Sequence, residues 1–300
     1  MQYDTSSRVR RGLGVRLDHG EEQAPYRVFL PFWQYFGRPP RHRARPSILG
    51  SMLPYRDENP TILTPLVTFA IIAANVLIWV FVQGLGSEPS MSRSVCELAL
   101  IPGELLGRVA PGTQVPLTRR AVCVLGGSQT WFTPLSSMFL HGGWFHLIGN
   151  MWFLWVFGNN VEDSMGHVRF VVFYLLCGLA AAALQVAVNP SSAVPMLGAS
   201  GAIGGVMGAY IVLYPRVRVH MLIFLGFFIT TIAVPAYLML GYWFLIQLIG
   251  GIPSLGSEGG GVAFWAHVGG FVAGALLIRV FRNPALIAQH SQRVPVYRRR

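Results

Sequence analysis

The chain has 300 residues, of which 53% are hydrophobic and only 12% charged, with a mean hydropathy of +0.49; soluble domains carry charge on about a quarter of their residues. The formal net charge of +11 comes from Arg alone among the basic residues, crowded at the two ends, so a nucleic-acid groove is a poor explanation and no nucleic-acid partner is expected. Cys96, Cys123 and Cys177 lack metal-ligand spacing and a His-Glu-x-x-His helix motif is missing, so no metal or organic cofactor is expected.

Residues 1–60 read as an Arg-rich cytoplasmic tail, mostly disordered by composition. They contain no apolar core of the kind a cleavable signal peptide needs. The aromatics between Tyr26 and Phe36 could lie in the membrane interface, but a tail that only enforces topology is the simpler reading.

Six apolar stretches follow, each a candidate to cross about 30 Å of hydrocarbon. They are Thr61 to Gln83, Met138 to Gly158, Phe170 to Val188, Gly198 to Tyr214, Val219 to Gly250 and Val262 to Ile278. The fifth is long enough to tilt or to break at Pro235. The links after spans two and four carry Arg169, Arg216 and Arg218, and the C-terminal tail starts an Arg cluster at Arg279. The links Asn189–Leu197 and Gly251–Gly261 hold only Glu258 as a charged residue, so both termini are expected inside. The long first link, Gly84 to Ser137, is read as partly membrane-embedded; it lies outside the cytoplasm, where a Cys96–Cys123 disulfide stays open. The expected architecture is an all-α bundle over residues 61–282, with a basic cytoplasmic tail at 283–300.

Polar groups in lipid are costly and ask for an explanation. Span four opens Gly198-Ala199-Ser200-Gly201, with Ser200, Gly204 and Gly208 on one helical stripe; span six places His267, Gly270 and Gly274 on another. Both stripes are small-xxx-small faces that let helix backbones approach. Ser200 and His267 each enter from an outside link and lie within roughly 10 Å of the outer boundary at 1.5 Å per residue. A neutral imidazole there can take the serine proton and return it to a departing amine. No carboxylate shares that depth, because Glu162 and Asp163 fall in an inside link, so the arrangement is a Ser-His dyad. Span two places His146 and Asn150 at i, i+4, two donors that suit an oxyanion together with the Ser200 amide. Taken singly, Ser200 reads as a packing residue and His267 as an interfacial one; their conjunction at one depth is what favours chemistry.

These residues resemble the rhomboid family of intramembrane serine proteases, bacterial six-span type, over roughly Tyr55 to Phe281. The resemblance rests on Gly198-Ala-Ser200-Gly201, on His141 with His146-x-x-x-Asn150, on Ala266-His267-x-x-Gly270-x-x-x-Gly274, on Gly158-Asn-Asn-Val-Glu162, and on Tyr55-Arg56-Asp57. It implies a Ser200 nucleophile, a His267 base, an oxyanion site of His146 and Asn150, and a structural Glu162. His141, Gly198, Gly201 and Gly270 take supporting places. It further implies membrane-anchored protein substrates cut in or near their own spans, the lipid bilayer as environment, and a site open to the outer face of a bacterial inner membrane. Two departures stand out: Trp131-Phe132 where many members have Trp-Arg, and Gly204 where some have a Tyr that stacks on the His. The rivals are a silent rhomboid-like client-binding protein, which would lack one of the reacting groups, and a small transporter, which would show repeated halves or buried carboxylates.

Overall fold

The structure is a computed structural model that describes residues 15–17, 52–118, 121–126, 130–225, 228–255 and 262–293. The expectations of a disordered tail and of interfacial aromatics at 26–36 lie outside the described residues.

In chain order the elements are β1 (Val15–Leu17), β2 (Met52–Asp57), α1 (Leu66–Phe81), α2 (Ser90–Leu98), α3 (Pro102–Leu105), β3 (Gln114–Pro116), β4 (Ala121–Val124) and α4 (Thr133–Ser136). There follow α5 (Trp144–Met165), α6 (His167–Val188), α7 (Ser200–Leu213), β5 (Arg218–Leu225), β6 (Phe228–Pro235), α8 (Ala236–Gly251), α9 (Phe264–Phe281) and α10 (Pro284–Arg293). Among the described residues, α6, α8 with its 3-10 extension to Ser254, and α9 are long and apolar enough to cross a membrane; α1 and α7 are shorter apolar helices. Leu66, Leu77, Phe81, Val168, Leu176, Leu245 and Val280 lie exposed on α1, α6, α8 and α9. An apolar belt of that extent is unsuited to water and suited to lipid.

Helix α7 is the central element, buried at every position from Gly201 to Tyr210. It is small on the side that meets α9: a Cβ added at Gly270 would lie 1.8 Å from the Gly201 carbonyl oxygen, and one at Gly274 would lie 1.9 Å from that of Gly205. The two backbones therefore touch, as glycine seams in lipid permit. The stripe expected on α7 meets α9, with a Cβ at Gly204 3.1 Å from the His267 carbonyl and one at Gly208 2.0 Å from that of Phe271, and it is widened by Gly201 and Gly205.

Several expectations are corrected. The molecule is not all-α: it holds two three-stranded sheets, ordered β1-β4-β3 and β2-β5-β6. The first half of the expected fifth span is the β5–β6 hairpin, with Arg218 opposite Pro235 and Leu225 opposite Phe228. Val219, Met221 and Ile223 are buried while the residues between them are not, a period-two pattern masked in sequence because Leu222 and Phe224 on the other face are apolar too and only His220 breaks the run. Residues 52–57 and 284–293, assigned to tails, form β2, paired with β5, and α10. Span two begins later and runs further, so Glu162 and Asp163 belong to α5 and not to a link. A single residue, Gly166 at φ +83°, turns the chain from α5 into α6, a conformation that favours glycine.

The first link is a small folded unit around Cys96, Ile101, Cys123 and Leu125. Cys96 and Cys123 are joined by a disulfide, with their Cα atoms 5.5 Å apart.

Candidate active site

The chain leading into α7 is held by that folded unit. Leu100 and Met196 exchange backbone hydrogen bonds of 2.9 and 2.7 Å, and the Gly103 amide donates to the Ser192 carbonyl at 2.8 Å. The Gly198 amide donates to the Ser137 carbonyl at 2.9 Å. Gly198 has φ +130°, and a Cβ there would lie 2.8 Å from His146 Nε2 and 3.5 Å from Ser200 Oγ. Only glycine fits this place, which also measures how near His146 stands to the serine.

Ser200 is the first residue of α7, so its N–H is among the leading amides that find no acceptor within the helix. Its Oγ lies 2.7 Å from His267 Nε2. His267 comes from the first turn of α9, whose start is fixed by Gln185 of α6 accepting the Ala266 amide at 3.2 Å. The structure thus brings together the two side chains expected from spans four and six.

The opposite ring nitrogen, His267 Nδ1, lies 2.7 Å from Gln247 Oε1 on α8. The imidazole also lies beside the Trp243 ring, with centroids 5.8 Å apart at 39°. Neither α8 residue was singled out from sequence. A Gln inside a long apolar run was the available signal, since a buried amide in lipid must find partners. A Cβ at Gly204 would already meet the His267 carbonyl at 3.1 Å and the Trp243 ring at 3.7 Å. A bulky residue at 204 has no room here, and the aromatic face against the histidine comes from α8.

His146 Nδ1 accepts the Gly142 amide at 3.1 Å, so the ring proton sits on Nε2, the nitrogen that faces Gly198 and Ser200. Asn150, one helical turn on, is buried with its Nδ2 donor unpartnered. His141 is buried with both ring nitrogens unpartnered, edge-on to His146 at 5.2 Å. Its backbone is clamped by Gln83, which donates to its carbonyl and accepts its amide, both at 2.8 Å. Beside Ser200 a pocket is lined by Met138, Gly178, Ala181, Met196, Leu197 and Ala202.

Glu162 lies apart from this cluster. Its carboxylate accepts the Val67 and Thr68 amides at 2.9 and 2.8 Å and the Thr68 hydroxyl at 2.7 Å, and touches His167 Nδ1 at 2.6 Å. It thus caps the start of α1 from α5. Gly270 and Gly201 serve the α7–α9 seam, as described.

The sequence profile of the rhomboid domain matches residues 128–284. The chain is 34% identical over 158 residues to "Rhomboid protease GluP" of Bacillus subtilis (strain 168), 53% of this chain and 30% of that protein. It is 37% identical over 75 residues to "Rhomboid-like protein 11, chloroplastic" of Arabidopsis thaliana, 25% of this chain and 26% of that one. It is 28% identical over 148 residues to "Rhomboid protein 1, mitochondrial" of Saccharomyces cerevisiae (strain ATCC 204508 / S288c), 47% and 39% of the two chains. The chain therefore spans well under half the length of these relatives. With the profile covering more than half of its residues, this integral membrane protein belongs to the rhomboid family.

Proposed function

We propose that the protein is an intramembrane serine endopeptidase that hydrolyses peptide bonds in or near the spans of membrane-anchored proteins. The observation that carries this reading is the 2.7 Å contact between Ser200 Oγ and His267 Nε2. The contact is supported by the nearness of His146 Nε2 to Gly198, by the unpartnered Asn150 Nδ2 one helical turn on, and by the free Ser200 amide at the helix start.

His267 Nε2 takes the hydroxyl proton as Oγ adds to the scissile carbonyl. The negative oxygen that results is met by His146 Nε2–H, the Asn150 amide and the Ser200 N–H, donors fixed before reaction. As the tetrahedral adduct collapses, the C–N bond breaks and the His267 proton goes to the departing amine, leaving an acyl ester on Ser200. Water, deprotonated by His267, then cleaves the ester and restores the hydroxyl. The narrow pocket lined by Ala181, Ala202 and Gly178 suits a small side chain before the cut bond.

In this reading α1, α5, α6, α7, α8 and α9 are six spans. Both termini are cytoplasmic, and the site opens to the outer face, as the Arg distribution supports. The core is a unit of about 61–282 between two tails, with β2 and α10 packed onto it.

The test is cleavage of a single-span model substrate in proteoliposomes. Ser200→Ala and His267→Ala are expected to abolish it while leaving a monodisperse, equally stable protein, and a fluorophosphonate is expected to label wild type at Ser200. Undiminished cleavage by Ser200→Ala rejects the mechanism.

A further inference from the structure

We propose that Gln247 is the positioning residue of this site, a neutral third member that fixes which nitrogen of His267 carries the proton. The proposal rests on the protease reading above and deepens it.

An imidazole can act as base toward Ser200 only when its Nε2 is bare and its proton sits on Nδ1. A Gln can enforce either state, according to which end of its amide faces the ring. Here the choice is made by a second contact: Gln247 Nε2 donates to the Trp243 carbonyl at 3.3 Å, one helical turn back. The amide oxygen is thereby turned to His267 Nδ1, 2.7 Å away, and can only accept. Gln247 is 4% exposed, so water does not compete for either bond. The Trp243 ring against the imidazole, itself 6.1 Å from the Phe271 ring, blocks rotation of the histidine out of this plane. One turn of α8 thus sets tautomer and orientation together.

In soluble serine proteases built on a triad, a buried aspartate holds the histidine in this way, and replacing it by an amide that imposes the wrong tautomer costs about 10⁴ in kcat. An amide carries no charge to oppose the imidazolium that forms during reaction, so the loss of Gln247 costs less, on the order of tenfold to a hundredfold. Gln247→Met keeps length and removes the acceptor. Gln247→Glu, protonated in this apolar place, keeps both contacts: its O–H donates to the Trp243 carbonyl and its C=O accepts Nδ1–H.

The experiment measures kcat and KM on the model substrate in proteoliposomes, with the full chain, together with the rate of fluorophosphonate labelling of Ser200. Gln247→Met is expected to lower kcat and the labelling rate by roughly tenfold to a hundredfold with KM within about twofold. Gln247→Glu is expected to restore most of that loss. Gln247→Asn, which withdraws the amide by one methylene, is expected to be slow as well, and decides the matter if Gln247→Met does not fold. Wild-type kcat in Gln247→Met or Gln247→Asn, or equal impairment of the Met and Glu variants, overturns the proposal. Because Ser200→Ala is assayed alongside, a full rate there removes the protease reading itself, whereas a full rate only in the Gln247 variants removes this inference alone.

Discussion

At the Ser200 end of α7, buried polar atoms are left over: the Asn150 Nδ2 donor and both ring nitrogens of His141, one donor and one acceptor, have no side-chain hydrogen bond. At the Tyr210 end the carboxylates are filled. Glu162 takes four contacts, Asp163 accepts the Ile62 and Leu63 amides at 3.1 and 2.7 Å, and Asp57 accepts from Tyr210 and from Asn160. Leaving a buried polar group unpaired costs about 1–3 kcal/mol; Asn59, Asn75, Asn160, Trp79 and Tyr174 also carry such atoms, and what sets Asn150 apart is its place one helical turn from His146, beside the serine. Saturated carboxylates instead fasten the chain: Glu162 and Asp163 hold the approach to α1, and Asp57 ties β2 to α7 and α5. Substitutions at the first end should therefore cost rate and not stability, and those at the second should cost stability and not the rate per folded molecule.

The seam between the two ends should show the largest effect. Gly270→Ala places a Cβ 1.8 Å from the Gly201 carbonyl, and backbone cannot yield as a side chain can. The cost is expected to exceed about 3 kcal/mol, seen as loss of monodisperse protein in detergent. A normally stable, active variant would show that α7 and α9 are not in contact. Next, Asn150→Ala is expected to lower kcat by about 10²–10³-fold, about 3–4 kcal/mol of transition-state stabilisation, with the thermal midpoint unchanged. A lower midpoint with unchanged kcat would move Asn150 to the structural side of the comparison. Third, Glu162→Ala should cost about 2 kcal/mol of stability by orphaning the Val67 and Thr68 amides. The labelling rate of Ser200 in the folded fraction should be kept.

How much of this was legible follows the same division. Ser200, His267, His146 and Asn150 could be found because each breaks an apolar run, and because Arg placement alone gives their depth. Their mutual geometry could be inferred from glycines spaced four apart. Gln247 breaks an apolar run too, but its partner is 20 residues away across a break in the helix, and no helical spacing links them. The β5–β6 hairpin was hidden for another reason. A run from Val219 to Ala233 whose polar side chains are only His220, Thr230 and Thr231 carries no sustained alternation, and its length suits a membrane helix. Burial alternates only once one face of the sheet packs on the helical core, where Val219 and Met221 join Ala236 and Leu240, and sequence does not show that packing. In sequence Glu162 and Asp163 read as link residues because charge near a span end marks a boundary; in the structure they are buried in α5, where Glu162 caps α1 and Asp163 holds the Ile62 and Leu63 amides that lead into it.

The smallest effect concerns Asp57, which lies before the first span. Burial pushes its carboxyl up to about 6 from an ordinary 3.8, and the Tyr210 hydrogen bond only partly opposes this. Between those values the folded protein holds a proton that the unfolded chain has released, so stability falls as pH rises. The favourable contribution is full below about pH 3.8 and is lost as pH climbs through about 6. Asp57→Asn, which cannot ionise, should flatten that part of the profile. The midpoint difference between variant and wild type is expected to change by about 2–4 °C between pH 4 and pH 7 in detergent. Cleavage measured per folded molecule should keep its pH dependence in Asp57→Asn, since Asp57 meets the far end of α7 from Ser200. A shift in the pH–rate profile of that variant would mean that the two ends of α7 are coupled, and the separation of fastening from chemistry would have to be given up.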